Sequence, residues 1–438
     1  MTTRLVERAR AALRNGIVRT ALGLYVLQAG MYLLPIATVM FLARRLGPVH
    51  WGSLVFMQAF VTYVTFLVNY GFNYSATRDV ARHRHDPDRL KDLLAGVLGA
   101  KVMLAFLSIV LVVPVAIIVP AVHRNQDLLW PAMLWALAVA ASPAWYFQGL
   151  ERLGIVARCD TAARILSLIA IVLVVQSKDD AWKVLAIQGG LLLCATVIEL
   201  TVAYKEVGFR MPSTALVRQT LRLGWAIFML SGAISFYTIG NGFMVGLFGT
   251  SAAVAYYVGA ERICRVLGTL LTPIAQAVYP RTSHLATQAR WRAARLAKTS
   301  LILMAAGGCA MGVFLFAAAP ILVQILLGPG FDQAIPVLQI LALVPPMVAV
   351  SNVLGVQWGL ALGLDRLVNM VMYAAGLLNI VLAIILVPHY FQIGMAVSVV
   401  VAETFVAAGL YLLLRLKGLD PFAVAGTEWE EAPATVPA

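Results

Sequence analysis

Long apolar runs separated by short polar segments recur from one end of the chain to the other. A helix needs about 20 apolar residues to cross a hydrocarbon core. Twelve runs approach or exceed that length: 20–43, 51–72, 93–120, 129–149, 159–176, 184–203, 224–248, 253–280, 299–319, 336–362, 367–387 and 393–414. Lipid offers the backbone no hydrogen-bond partner, so each run is predicted to be helical. Pro35, Pro143, Pro273, Pro345 and Pro346 are expected to bend or bound these helices rather than abolish them. The first run follows Arg4, Arg8, Arg10, Arg14 and Arg19, but it is too long for a signal-peptide core and lacks a small-residue cleavage pattern. It reads as the first span.

Charge orients the spans. Of the 438 residues, 61% are hydrophobic and only 12% charged, about half the charged share of a soluble domain. With the N-terminus inside, 24 basic residues fall in cytoplasmic segments and 5 on the opposite side. That asymmetry predicts twelve crossings with both termini in the cytoplasm. The net charge of +13 is then mostly inner-loop charge, suited to anionic membrane lipids. Nothing resembles a basic folded surface with stacking aromatics, so nucleic acid is not an expected partner.

The polar residues inside the runs carry more information. Glu261, Arg265, Gly268, Thr272 and Gln276 form one helical stripe. Gln58, Thr62, Thr65, Asn69 and Asn73 repeat its spacing at a shift of 203 positions, which also carries Arg78 onto Arg281. A repeat on this scale predicts an all-α polytopic membrane protein of about twelve transmembrane helices, in two six-helix lobes around a central cavity. The expected division is an N-terminal lobe at 1–204, a cytoplasmic linker at 205–223, a C-terminal lobe at 224–418 and an acidic, disordered tail at 419–438. Stripes of Thr, Asn and Gln can also serve only to bond helices together. A stripe flanked by two arginines favours a polar cavity.

Four basic residues lie within the spans, Lys101, Arg164, Arg262 and Arg265, together with Glu199, Glu261 and Glu403. A charge at that depth costs several kcal/mol unless it is paired or faces water. Glu261 precedes Arg265 by four residues, the favourable order for an intrahelical pair. Arg262, with Lys101 and Arg164, would leave a cationic surplus. Guanidinium suits an anionic passenger because it donates paired hydrogen bonds to phosphate or carboxylate. Asn241 and Tyr257 are expected at the same cavity, and Tyr237, Tyr256 and Tyr257 are candidates to pack on sugar faces or to sit in an interfacial belt. Arg78 and Arg281 are the candidate cytoplasmic gate. No cofactor or metal is expected: Gly99-Ala100-Lys101 lacks the phosphate-loop pattern, His83 and His85 lie in a solvated basic loop, and the four cysteines make no close ligand pair.

Several segments resemble a known family. These are Phe41-Leu42-Ala43-Arg44-Arg45-Leu46-Gly47-Pro48, Asn69-Tyr70-Gly71-Phe72-Asn73-Tyr74-Ser75-Ala76-Thr77-Arg78 and Trp145-Tyr146-Phe147-Gln148-Gly149-Leu150-Glu151-Arg152. Leu271-Thr272-Pro273-Ile274-Ala275-Gln276-Ala277-Val278-Tyr279-Pro280-Arg281 and Ser351-Asn352-Val353-Leu354-Gly355-Val356-Gln357 fit as well. The sequence resembles the lipid-linked oligosaccharide flippases, or O-antigen and polysaccharide transporters, of the multidrug/oligosaccharidyl-lipid/polysaccharide exporter superfamily. The resemblance implies a bacterial inner-membrane protein with a cationic central cavity. It implies that an undecaprenyl-diphosphate-linked repeat unit is moved to the outer leaflet, with the polymerase and chain-length proteins of the pathway as candidate partners. By likeness, Asn69, Asn73, Arg78, Glu261, Arg265 and Gln276 lie in segments that line or gate the cavity.

Two further readings stay open. One is an exporter of peptidoglycan precursors or teichuronic-acid-type polymers, with a drug/cation antiporter behind it because of the cationic surplus. The other is a membrane-embedded glycan polymerase, which would need carboxylate or basic residues on a sizeable outer loop. The longest outer segment, about Pro320 to Ile335, carries only Asp332 as a charge, so no enzyme activity is expected.

Overall fold

The computed structural model describes residues 16–424, with side chains placed from residue 35 onward except at 226, 230–239, 273, 277 and 424. Arg4, Arg8, Arg10 and Arg14, the tail glutamates Glu428, Glu430 and Glu431, and the side chains of Arg19 and Tyr237 lie outside that description. Among the described residues the regular structure is entirely helical. The N-terminal half comprises α1 (Gly16–Asn69), α2 (Phe72–Arg82), α3 (Pro87–Ile118), α4 (Pro120–His123), α5 (Gln126–Ala141), α6 (Ala144–Gly149), α7 (Gly154–Val174) and α8 (Ala181–Val207). The C-terminal half comprises α9 (Thr214–Ile239), α10 (Asn241–Phe248), α11 (Ser251–Gly268), α12 (Thr272–Gln288), α13 (Arg290–Leu326), α14 (Ala334–Leu341), α15 (Val344–Ser351), α16 (Asp365–Leu416) and α17 (Pro421–Val424).

Among the described residues, seven helical stretches are long and apolar enough to cross a membrane. Two of them, 35–82 and 365–416, are bent and each takes in two of the predicted runs, so the seven cover nine. The runs 159–176, 224–248 and 253–280 fall in α7, α9–α10 and α11–α12, which are helical but outside the seven. The long helix α1 breaks at Gly47 (φ 72, ψ 175), a conformation open to glycine and followed by Pro48, which has no amide to donate. The other long helix, α16, breaks at Phe391 (φ 47, ψ −121). Pro143 separates α5 from α6. A π-helical segment, Asn352–Leu360, follows α15. Helix starts carry ordinary caps: Asp86 accepts from the Arg89 amide at 3.0 Å, and Thr250 from the Ala253 amide at 3.2 Å.

The helices pack as two lobes. In the first, α1 and α8 pack on α5, and α7 packs on α8; in the second, α13 packs on α12, α14 and α15, and α16 on α10, α14 and α15. The lobes meet where α10 and α11 lie on the second arm of α1. At this seam Trp51 is fully buried with its ring 5.7 Å from Phe331, edge to face, and Phe56 stacks on Phe243 at 5.7 Å. Ser53 Oγ donates to Ser251 Oγ at 2.9 Å, and the Arg44 guanidinium donates to the Ile325 carbonyl. Lipid tails are as apolar as these side chains, so close packing and polar contacts hold the seam rather than a hydrophobic drive. The helix α9 also spans the lobes, packing on α2 and α3 of the first and on α16 of the second.

Candidate transport site

The striped helices break where their polar faces run. In the first lobe the break is Tyr70–Gly71, both with positive φ (45° and 74°), between α1 and α2. In the second it is the 3-10 turn Thr269–Leu271 between α11 and α12. Under the shift of 203 positions the breaks fall within a few residues of each other, so the repeat extends from sequence into backbone geometry.

Beside the second break lies a cavity of about 550 Å3, lined throughout by residues of the second lobe. The side chains of α11 and the start of α12 form one wall, with Glu261, Arg265, Gly268, Thr269 and Thr272. Opposite them stand Asn352 of the π-helical segment and Asn379 and Glu403 of α16, with Asn241 at the start of α10. Met304, Leu341, Val344, Pro345 and Val348 supply apolar surface between these groups. The expected intrahelical pair is formed: Arg265 Nη2 donates to Glu261 Oε1 at 2.6 Å. The arginine side chain keeps 63% of its surface exposed and the glutamate 21%, so the guanidinium faces open space with donors to spare. Asn379 donates to Asn241 at 3.1 Å, and its own side-chain oxygen is buried without a partner among the described residues.

The expected cationic surplus does not line this cavity. Its formal charges are one guanidinium, Arg265, and two carboxylates, Glu261 and Glu403. Arg262 points instead into the seam between the lobes, its guanidinium carbon 5.8 Å from the centre of the Trp51 ring. The side chain is partly exposed there, and such a cation–π contact is worth about 1 kcal/mol. Lys101 is 3% exposed in the first lobe and donates to the carbonyls of Ala140 and Ser142, at 2.6 and 3.0 Å. Those carbonyls are freed where Pro143 interrupts the helix. Ser142 in turn donates to the fully buried Glu199 at 2.9 Å. Arg164 is exposed on α7.

The first-lobe stripe packs largely within its own lobe. Gln58 donates to Gln188 at 3.3 Å, and Thr65 to the Ala136 carbonyl at 3.3 Å. Asn69 ends α1, and Asn73 and Arg78 are exposed on α2. Gln276 and Arg281 are exposed on α12, and Tyr257 is fully buried one turn before Glu261. Sequence reasoning missed Asn379 and Asn352 as cavity residues, and it noted Glu403 only as an acid at membrane depth. Each is a polar residue within an apolar run, a signal that marks a residue without saying what it faces.

A bent-helix bundle of two lobes is the architecture of helical membrane transporters. Over 92% of this chain it superposes on 90% of "Lipid II flippase MurJ, inward closed conformation" with a TM-score of 0.67 at 14% identity. It superposes over 91% of its length on 96% of an inward-facing multidrug resistance MATE family transporter, with a TM-score of 0.65 at 15% identity. Residues 17–286 match the family model described as "Polysaccharide biosynthesis protein", and the chain belongs to that family. It is 31% identical over 403 residues to the "Putative O-antigen transporter" of Escherichia coli (strain K12), covering 91% of this chain and 96% of that one. The protein of the same name from Shigella dysenteriae is 25% identical over 407 residues, 90% of this chain and 98% of its own.

Proposed function

We propose that this protein is a flippase that carries an undecaprenyl-diphosphate-linked oligosaccharide repeat unit across the bacterial cytoplasmic membrane for O-antigen or exopolysaccharide synthesis. The two lobes would rock about their seam in alternating access, with both termini in the cytoplasm. The observation that carries this reading is the Glu261–Arg265 pair facing a cavity; the names of the sequence relatives support it. A cavity of this size holds a drug-sized group, so it would take the diphosphate and the nearest sugar while the lipid tail stays in hydrocarbon.

The pairing of Arg265 suits transport better than a bare cation would. The Glu261 carboxylate offsets part of the Arg265 charge, so a phosphate on the remaining donors is held weakly enough for release; a carrier needs differential affinity between its two states, not tight binding in both. Replacing Arg265 with Ala is expected to abolish surface polymer while the protein still inserts, and Arg265→Lys to retain part of the activity because a point charge lacks the paired donors. Normal polymer from well-expressed Arg265→Ala would overturn the assignment. The two carboxylates of the lining favour a cationic passenger as a second reading. Proteoliposomes that accumulate an organic cation but move no lipid-linked sugar would select it.

A further inference from the structure

A second cavity, of about 620 Å3, lies between α3, the end of α8 and the start of α9. It shares no lining residue with the transport cavity. Its lining is mixed. Leu98, Val102 and Met103 of α3 and Val217 and Leu221 of α9 make an apolar trough, and Val102 and Met103 are exposed at its mouth. Thr214, Arg210 and Arg218 line the same cavity. Arg210 is held by Asp92 at 2.5 Å, whereas Arg218 is exposed and pairs with no carboxylate among the described residues. The start of α9 borders the cavity, and there Ser213 accepts from the Leu216 amide at 3.3 Å. The helix dipole there adds partial positive charge to that of Arg218.

We infer that this groove binds an anionic glycerophospholipid, one acyl chain in the trough and the headgroup phosphate at Arg218 and the α9 N-terminus. The chemistry follows the lining: an amphiphile with a long apolar tail and a negative head matches both the apolar side chains and the unpaired Arg218. The passenger lipid fits less well, because a head in the transport cavity leaves its tail no shared surface with this groove. The site also lies across the connection between the lobes. The segment 208–213 that joins α8 to α9 is non-helical, and Pro212 lines the groove. A bound lipid would fasten this connection and the start of α9 to α3. The assignment stands independently of what the transporter carries.

Native mass spectrometry of the purified full-length protein, titrated with phosphatidylglycerol, phosphatidylethanolamine or undecaprenyl phosphate, tests it. Phosphatidylglycerol is expected to be retained over phosphatidylethanolamine, and Arg218→Gln to weaken that retention about fivefold, the effect of one basic residue near an anionic lipid surface. Val102→Trp, which fills the mouth of the trough, should weaken retention of both phospholipids. Arg82→Gln, an exposed arginine of α2 outside the groove, should change nothing. Equal retention of the two phospholipids, an Arg218→Gln profile matching wild type, or displacement of phosphatidylglycerol by an equal concentration of undecaprenyl phosphate would each overturn the inference.

Discussion

The seam between the lobes turns on a glycine. A methyl group built on Gly52 would stand 1.7 Å from the Ser251 carbonyl oxygen and 3.3 Å from the Ala255 Cβ. Carbon contacts are comfortable at about 3.5–4 Å, so Gly52→Ala forces α1 and α11 apart by about 2 Å. Overpacking of this kind costs about 1–3 kcal/mol, and a backbone oxygen cannot rotate away as a side chain can, so the upper end applies. The clash exists only while the seam is closed. Alanine also favours the helix by about 0.5–1 kcal/mol relative to glycine, and that gain is the same whether the seam is open or closed. The substitution should therefore destabilise the closed state, stabilise the open one by that smaller gain, and shift the closed-to-open ratio toward open about 100-fold, since each 1.4 kcal/mol is a factor of ten. Spin labels at Val49 and Thr250, one on each side of the seam, report the change by pulsed electron resonance; the exposed Cys194 and Cys309 would first be removed. A Gly52→Ala distance distribution identical to wild type would refute the proposal that this contact opens during transport.

Two other outcomes follow from the sites described. Lys101→Met removes the donor to two buried carbonyls, each worth about 1–3 kcal/mol when orphaned, so the melting temperature in detergent should fall by several degrees; an unchanged value would mean that the helix break at Pro143 does not depend on this ammonium. Glu261→Gln frees the Arg265 guanidinium from its competitor, so binding of a diphosphate lipid should tighten about tenfold, the scale of one charge-assisted hydrogen bond, while turnover slows. Weaker binding in this variant would show that Glu261 orients the arginine rather than competing for it.

The helical, membrane-spanning character of the protein and its duplicated plan follow from local pattern, because run length and polar spacing act within one helix. The same is true of the Glu261–Arg265 pair, whose members lie four residues apart on a single helix. The placement of the other buried charges is not of this kind. Lys101, Arg164, Arg262 and Arg265 look alike as basic residues in apolar runs, yet one caps a broken helix, one is exposed, one lies on a tryptophan between the lobes and one faces the cavity.

Periodicity states which residues share a face and leaves open what the face meets. The sequence alone therefore determined that charged and polar stripes exist within about twelve spans. Only the tertiary structure decided that Asn352, Asn379 and Glu403, from distant elements, line one cavity with Asn241, Glu261 and Arg265. It also decided that the cavity is not a surplus of cations. The physical reason is that a buried charge is stabilised by whichever neighbour the packing brings to it, and helices far apart in the chain supply those neighbours.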